Sequence, residues 1–599
     1  MIKNSGSIIF IAMIAIALQA TGCGTEGTTV AEPSLAITST GPKLVTFLWG
    51  EDLSGPIHDI ICKENGSTTE ETLVEGVAGT SHTMEVSVHQ MAWGKGELTL
   101  VARNEANTLR KEHPAVALAQ NLSVNAIGYF KAQLNEAGDR FSAVALSGDG
   151  KTLAIGAWGE SSNATGINGD QSDNSASESG AVFIFEKSGT AWTQTTYIKA
   201  SNTGAGDHFG GQVALSDDGK TLAVSAKDEA SNATGVNGDQ GNNAAAASGA
   251  VYIFTKSGVD WTQQAYLKAS NTTTNYSFGR LMALSGDGNI LAVSSPLERG
   301  AATWINGDQS VQTENFSGAV YVFHRTGTNW AQYAYVKATN AEANDLFGAS
   351  VALDYDGDTM VVSASNEDSN ATGFDTDQNN NTAPVSGAVY IFNRVGNSWS
   401  QAHYVKASNA ETNDLFGSSI DMSNDGNTLV VGAAGEDSSA TGVDGDQNDN
   451  GTADSGALYV FERREGAWAQ AHYIKASTPG VFDSLGYTVA ISGDGNVIAA
   501  SSVFENSSAT GVNGDESDDS AAFAGAAFVF MRDGSTWRQR SYVKASNTDA
   551  NDLFGVYIAI DSDGSTLALG TPDEASNAQG INGDQADNSA AGAGAVYLY

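Results

Sequence analysis

The sequence predicts an all-β protein: a seven-bladed β-propeller closed by an N-terminal strand and preceded by a small β-sandwich. Three observations predict it. After about residue 123 the chain repeats itself seven times, the opening apolar residue falling at Phe141, Phe209, Phe278, Phe347, Phe416, Leu485 and Phe554, in steps of 68 residues once and 69 five times. Self-similarity at a fixed period settles architecture before local propensity does. Each repeat holds four strand signals joined by turn chemistry, and four antiparallel strands repeated radially make propeller blades. Finally, the repeat is out of phase with the chain ends. The motif Tyr-x-Lys-Ala, a fourth-strand signal, first occurs at Tyr129–Ala132, ahead of the first unit, whereas the chain stops at Tyr599 after a third strand. A ring closed by the early strand accounts for both facts; an open solenoid would leave a bare edge and want polar caps.

Taken in order, the chain opens with a targeting segment. Lys3 precedes an apolar run from Ile8 to Leu18, too short to span a bilayer and typical of a secretory signal, so residues 1–22 read as a signal peptide. The run ends in Leu18-Gln19-Ala20-Thr21-Gly22-Cys23, which resembles the bacterial lipobox, with Ala20 standing where that motif prefers Leu. The resemblance implies lipidation of Cys23 and a membrane anchor, each buried methylene contributing ~0.8 kcal/mol. Gly24 after the cysteine resembles lipoproteins sorted to an outer membrane. Cys62 is then the one cysteine left; it has no disulfide partner and reads as a small buried residue.

Residues 23–32 read as a Thr/Gly/Glu linker and residues 33–122 as the β-sandwich. The stretches Leu44–Trp49, Met84–Val88 and Leu98–Val101 alternate or run apolar as strands do, separated by turn-rich pieces at Gly50–Pro56 and Asn65–Ser67. About ninety residues of short strands without helical periodicity suggest a sandwich. Trp49 in an early strand and the strand Leu98–Asn104 resemble a fibronectin type III domain, a module that most often serves as a spacer.

Within a unit the first strand is the Phe-Gly-x-x-Val-Ala-Leu-Ser segment, as in Phe209–Ser216. An Asp-Gly pair follows in every unit, from Asp149-Gly150 to Asp563-Gly564, and that dipeptide tolerates the positive φ of a tight hairpin. The second strand is a run of small apolar residues, which predicts cover on both faces. A loop of roughly twenty residues leads to the third strand, as in Gly249–Phe254. The fourth carries Trp-x-Gln and Tyr-x-Lys-Ala, as in Trp261, Gln263, Tyr266 and Lys268. These recurring residues read as packing between neighbouring blades, with the lysine at the rim.

The Phe-Gly and Gly-Ala-Val-Tyr-Val-Phe segments resemble FG-GAP repeats, the blades of the integrin α-subunit propeller and of many bacterial envelope proteins. Ser142, Ser295 and Leu485 break the signature locally. The resemblance implies a binding scaffold, and in integrins calcium is held by an Asp-x-Asp-x-Asp-Gly loop between the first two strands. Here that place holds only Ser-x-Asp-Gly or its equivalent.

The long loop is the better candidate for calcium. It keeps a Glu (Glu160, Glu229, Glu298, Glu367, Glu436, Glu505, Glu574) ten residues before an Asp that recurs every 69 residues, and an Asn or Asp two residues before that Asp. Alternating oxygen side chains around Gly suit an ion that takes six to eight hard oxygen ligands. The candidate ligands are Asn168 and Asp170; Asp375, Asp377 and Asn379; Asp444, Asp446, Asn448 and Asn450; and Asn582 and Asp584. The bland reading of the same residues is turn capping by local hydrogen bonds. Their repetition favours a structural role, since a catalytic site is normally built once from unlike residues.

The formal charge of -40 speaks against nucleic acid as a partner. No nucleophile elbow or phosphate loop occurs, paired acids cannot be singled out among 69 carboxylates, and His403 and His472 occupy equivalent strand positions without a partner pattern. The sequence therefore points to a non-enzymatic, membrane-anchored envelope protein that binds a protein or glycan at the cell surface. The alternatives are a polysaccharide hydrolase or lyase with a central site, or a passive scaffold. Only the third unit's loops stand out, through Pro296, Arg299, Trp304 and Phe316; Trp158 and Trp304 are aromatics peculiar to their loops.

Overall fold

The computed structural model describes residues 35–49, 57–65, 67, 70–103, 110–112 and 114–599. The segment read as a signal peptide, Cys23, the linker 23–32 and the Gly50–Pro56 turn lie outside the described residues.

Seven antiparallel sheets of one topology follow one another. The second is representative: Phe209–Leu215, Thr221–Ala226, Ala250–Ser257 and Asp260–Leu267 pair in chain order. Every residue of Thr221–Ala226 is buried, as its run of small apolar residues requires. The seventh sheet joins Tyr557–Ile560, Leu567–Thr571 and Ala595–Leu598 to Gly128–Phe130, a strand from before the first unit, with Tyr597 opposite Tyr129.

Adjacent sheets are stitched by the residue that opens each unit. The Phe278 N–H donates to the Ser248 carbonyl at 3.0 Å, so a unit's first aromatic is bonded into the preceding sheet. This contact explains the Gly of the Gly-Ala pair. Gly249 has φ +83°, and a Cβ there would stand 2.1 Å from the Phe278 carbonyl oxygen. Beyond the Phe the first strand bulges: Phe209 faces Ala226, but the next pair is Val213 with Val224. A bulge re-aims side chains, and the two residues after Phe-Gly are the ones displaced from the ladder.

The seven turns between first and second strands form a ring of backbone hydrogen bonds. Gly148 N–H donates to Asp217, Asp217 to Gly286, Asp287 to Tyr355, Tyr355 to Asn424, Asn424 to Gly493, Asp494 to Ser562, and Ser562 back to Gly148, all at 2.8–3.0 Å. Across the middle, the Asn424 amide (2.9 Å) and the Ser562 hydroxyl (3.2 Å) both donate to the Asp217 carboxylate.

Before the repeats stand two antiparallel sheets. One has three strands (Ala36–Gly41, Leu44–Leu48, Ser81–Glu85); the other has five, centred on Ile57–Glu64 and Gly96–Arg103. The strand expected over Met84–Val88 stops at Glu85, and Val88–Gln90 form a 3₁₀ turn instead. The reason is a contact out of reach of sequence: His89 Nε2 and Gln90 Nε2 both meet the Gly564 carbonyl, at 3.0 and 2.6 Å. These sheets share one hydrophobic core with the sixth and seventh units, in which Phe47, Trp93 and Leu98 pack with Val497, Leu567 and Tyr597. Cys62 is buried and free, as expected.

Candidate functional site

The glutamate of the long loop is the centre of a buried cluster that recurs in all seven units. In the fifth, Glu436 Oε1 accepts the Tyr473 hydroxyl at 2.7 Å and Oε2 accepts Lys475 Nζ at 2.8 Å, while Lys475 also donates to Ser455 Oγ at 2.7 Å. The lysine side chain is fully buried in every copy, which corrects the expectation of a rim position. Burial pulls the Lys475 ammonium down and the Glu436 charge pushes it back up. The seventh cluster takes its lysine from the early strand: Lys131 Nζ lies 2.8 Å from Glu574 Oε2. These residues tie the loop to the fourth strand and are occupied by one another.

The residues expected to hold calcium are placed singly, in turn hydrogen bonds. Asn168, Asp375, Asp444 and Asn582 adopt φ of +53° to +57°, a left-handed conformation that Asn and Asp tolerate. Each accepts a backbone N–H of the fourth strand through Oδ1, as Asn168 does from Tyr197 at 2.9 Å and Asn582 from Tyr129 at 3.0 Å. Asp375 and Asp444 spend their second oxygen on His403 Nδ1 (2.8 Å) and His472 Nδ1 (2.9 Å). The histidines thus do have a partner pattern: the described units carry Asp at this place only where His lies opposite, and Asn elsewhere.

Asp170, Asp377, Asp446 and Asp584 close exposed two-residue turns by accepting the N–H of Ser172, Asn379, Asn448 and Ala586 at 2.9–3.1 Å. Asn450 instead donates to Glu411 Oε2 at 2.5 Å. Hydrogen bonds from Ser172 hold the Asp170 carboxyl below its ordinary range. Among the described residues, no three His, Cys, Asp or Glu side chains gather as a metal would need. Asn168, Asp375, Asp444 and Asn582 spend their oxygens on the fourth strand, whereas Asp170, Asp377, Asp446 and Asp584 engage only Oδ1 in their turns.

A different place collects unlike residues. A cavity of about 680 Å³ is lined from all seven units, chiefly by the two positions displaced by the first-strand bulge. At the first of these stand Gly211, Arg280, Ala349, Ser418, Tyr487 and Val556; at the second, Gln212, Leu281, Ser350, Ser419, Thr488 and Tyr557. The ring of turns lies at the opposite end of the same strands from this cavity, or cup. The side chains below its rim are fixed. Ser350 Oγ accepts Ile420 N–H (3.2 Å) and Ser419 Oγ accepts Val489 N–H (3.1 Å), leaving each hydroxyl proton free to donate. One layer deeper, the Asp421 carboxylate accepts Ile491 N–H at 2.8 Å, and burial pushes its carboxyl up to about 6.

The lining holds two cations and no acid, in a chain with 69 acids and 29 bases. Lys227 is neutralised by Asp228 at 2.5 Å. Arg280 is exposed, and among the described residues its guanidinium has no hydrogen-bond or ion-pair partner; the Tyr557 hydroxyl, pushed up to about 12 by burial, feels its charge. These positions are hard to see in the sequence because the variable pair lies inside the first-strand motif and not in a loop. Aligning the repeats column by column, with attention to the two residues after Phe-Gly, would have found them.

Comparison with known proteins matches three segments, residues 192–254, 330–392 and 399–461, to the family model described as FG-GAP repeat. These three segments are similar to FG-GAP repeats. Each matched segment runs from the fourth strand of one unit to the third strand of the next, so the FG-GAP match straddles the stitched junction described above. No curated protein matches. Among solved structures, the chicken CNTN1 FN1–FN3 domains are 10% identical, covering 51% of this chain and 98% of that one with a TM-score of 0.11. A Ca²⁺-stabilized adhesin with which an Antarctic bacterium reaches out and binds ice is 10% identical, covering 73% and 93%, with a TM-score of 0.10. Neither superposes closely enough to bear on fold or function.

Proposed function

We propose that the seven FG-GAP-type sheets are the blades of one closed β-propeller, and that the protein is a non-enzymatic binding module whose ligand enters the cup at the propeller axis. The ring of seven turn hydrogen bonds and the Lys131–Glu574 pair support closure. One observation carries the functional reading: the units repeat closely, yet the six residue pairs that line the cup are all different as pairs. Loop and rim variation on a rigid scaffold is how repeat folds acquire ligands. A paired-carboxylate hydrolase has no seat in a lining without acids. On this reading Cys23 anchors the protein at the outer membrane, and the fibronectin-like sheets present the propeller at the cell surface.

The test is to fill the cup. Ser419→Trp places a bulky ring at the lining without touching the Glu–Lys clusters. Cells displaying the full-length protein should lose their surface adhesion with this variant while keeping the same amount of folded protein at the surface. Adhesion unaffected by a filled cup would leave only a passive scaffold.

A further inference from the structure

We propose that the cup is a site for an acidic oligosaccharide, with a sugar carboxylate on Arg280 and neighbouring sugar rings lying along Tyr487, Phe504 and Phe523. This rests on the reading of the cup as the ligand site and adds the chemical class of the ligand.

Charge selects the anion. The cavity lining holds no acid within so acidic a chain, Lys227 is balanced by Asp228, and Arg280 presents a rigid fork of donors that matches a carboxylate. Hydroxyl and amide groups select a polyhydroxylated body: Gln212, Ser350, Ser419 and Thr488 ring the same cavity, with a mixture of free donors and acceptors. The size suits a small ligand or a chain end, since pockets of ~300–1,000 Å³ take such molecules, whereas a protein partner spreads over roughly 800 Å² per side.

Aromatic side chains supply the third element, and they extend beyond the cup. Tyr487 stands at the rim, 42% exposed; Phe504 follows at 5.8 Å between ring centroids and Phe523 at a further 5.8 Å, itself 47% exposed. The ladder ends at a second cavity, of about 600 Å³, lined by Phe504, Phe523, Asp549, Asp552 and Asp573 and by Arg140, which pairs with Asp573, so the carboxylate that the cup selects lies at the Arg280 end. Tyr487 and Phe523 expose ring surface on either side of the half-buried Phe504, and ring faces carry the negative pole of the quadrupole that attracts the C–H face of a sugar. The equivalent places three units away hold Arg280, Leu297 and Phe316, so the two bulky units face each other across the axis. A chain seated with its acidic end at Arg280 has a path outward over the sixth unit.

The test uses the full-length protein in detergent and short oligosaccharides of galacturonate, mannuronate and glucuronate, each beside its neutral methyl ester, with titration calorimetry as the readout. At least one acidic series should bind and its ester should bind ~10- to 100-fold more weakly. Arg280→Gln should erase that preference while leaving residual ester binding, Tyr487→Ala and Phe523→Ala should weaken both forms, and Val395→Ala, at an exposed outer turn, should change nothing. Matching melting curves will show that the variants are folded. Equal affinity for acid and ester, or binding indifferent to Arg280, overturns the inference. If a neutral glycan or a peptide binds and Ser419→Trp abolishes it, the cup remains the ligand site and the acidic-sugar assignment falls. If nothing that binds responds to Ser419→Trp, both fall.

Discussion

Lysine is seldom fully buried unless paired, yet all seven lysines of the Tyr-x-Lys-Ala motif are, each against a glutamate from a loop 39 residues earlier in chain order or, for Lys131, from the far end of the chain. Removing one member of so dry a pair strands the other charge. Lys475→Met should therefore destabilise the protein by ~3–5 kcal/mol, and adding Glu436→Leu should recover much of the loss, because a buried pair replaced by apolar groups is often near neutral. Denaturant melts of the two single variants and the double variant measure this; equal losses for single and double variants would show that packing, not charge, dominates the site. The pairing was half legible. One Glu and one Lys per unit, at constant spacing, is visible in the sequence, but a lone strand lysine defaults to the surface, and only the seventh copy, whose lysine precedes the first unit, hints that the two belong together. The same default hid His403 and His472, whose meaning lies in the Asp at the equivalent loop position.

At the scale of an element, six of the seven turns that lead into a unit bury an Asp, the exception being the turn before Phe278, where Tyr276 stands. Asp414 Oδ2 accepts Glu411 N–H at 2.8 Å, and Asp345 and Asp483 repeat the arrangement; burial, reinforced by the nearby glutamate, raises the carboxyls to about 8 for Asp414, about 7 for Asp139, Asp207, Asp345 and Asp552, and about 6 for Asp483. A carboxyl whose folded pKa lies above its ordinary value of 3.8 holds its proton more tightly when folded. The stabilisation is complete below that ordinary value and is lost as pH rises through about 6 to 8. The melting temperature should accordingly fall between pH 5.5 and pH 8.5, and Asp414→Asn should flatten the fall; a melting temperature that climbs across this window would contradict the assignment. The long loops set a companion expectation. Because Asp446, Asp170 and their equivalents are engaged in turns of their own, calcium should raise the midpoint no more than magnesium does at equal concentration, and chelator should leave it unchanged. The Asp-Gly hairpins and the strand order were readable from local chemistry. The first strand was not fully readable: its bulge depends on the neighbouring sheet's Gly-Ala backbone, and it is this bulge that aims the cup residues.

At the scale of the molecule, the repeat phase made the joining of the chain's early strand to its last sheet legible, because a surplus strand at one end and a deficit at the other have one economical solution. The relation of the N-terminal sheets to the repeats was not legible, since nothing periodic links them. They read as a spacer, whereas the structure gives them a core in common with the sixth and seventh units. The junction is built as an interior: His89 is fully buried against Gly564, and desolvation pulls its pKa down to about 3, so it is neutral at any physiological pH. Lys43 donates to Thr566 Oγ1 and the Ser565 carbonyl at 2.7 Å, and Arg540 meets Glu64 at 2.6 Å. Sheets joined this way should not melt independently, because separating them exposes Leu567, Tyr597 and Tyr599 together with unpaired polar groups. Calorimetry of the full-length protein should show the N-terminal sheets and the last two units unfolding in one transition, and Trp93→Ala, in that shared core, should lower the whole transition rather than split off an early one. A separate low-temperature transition that carries the Trp93 fluorescence change would mean the junction is a contact between independent domains, and the N-terminal sheets would return to the role of a spacer.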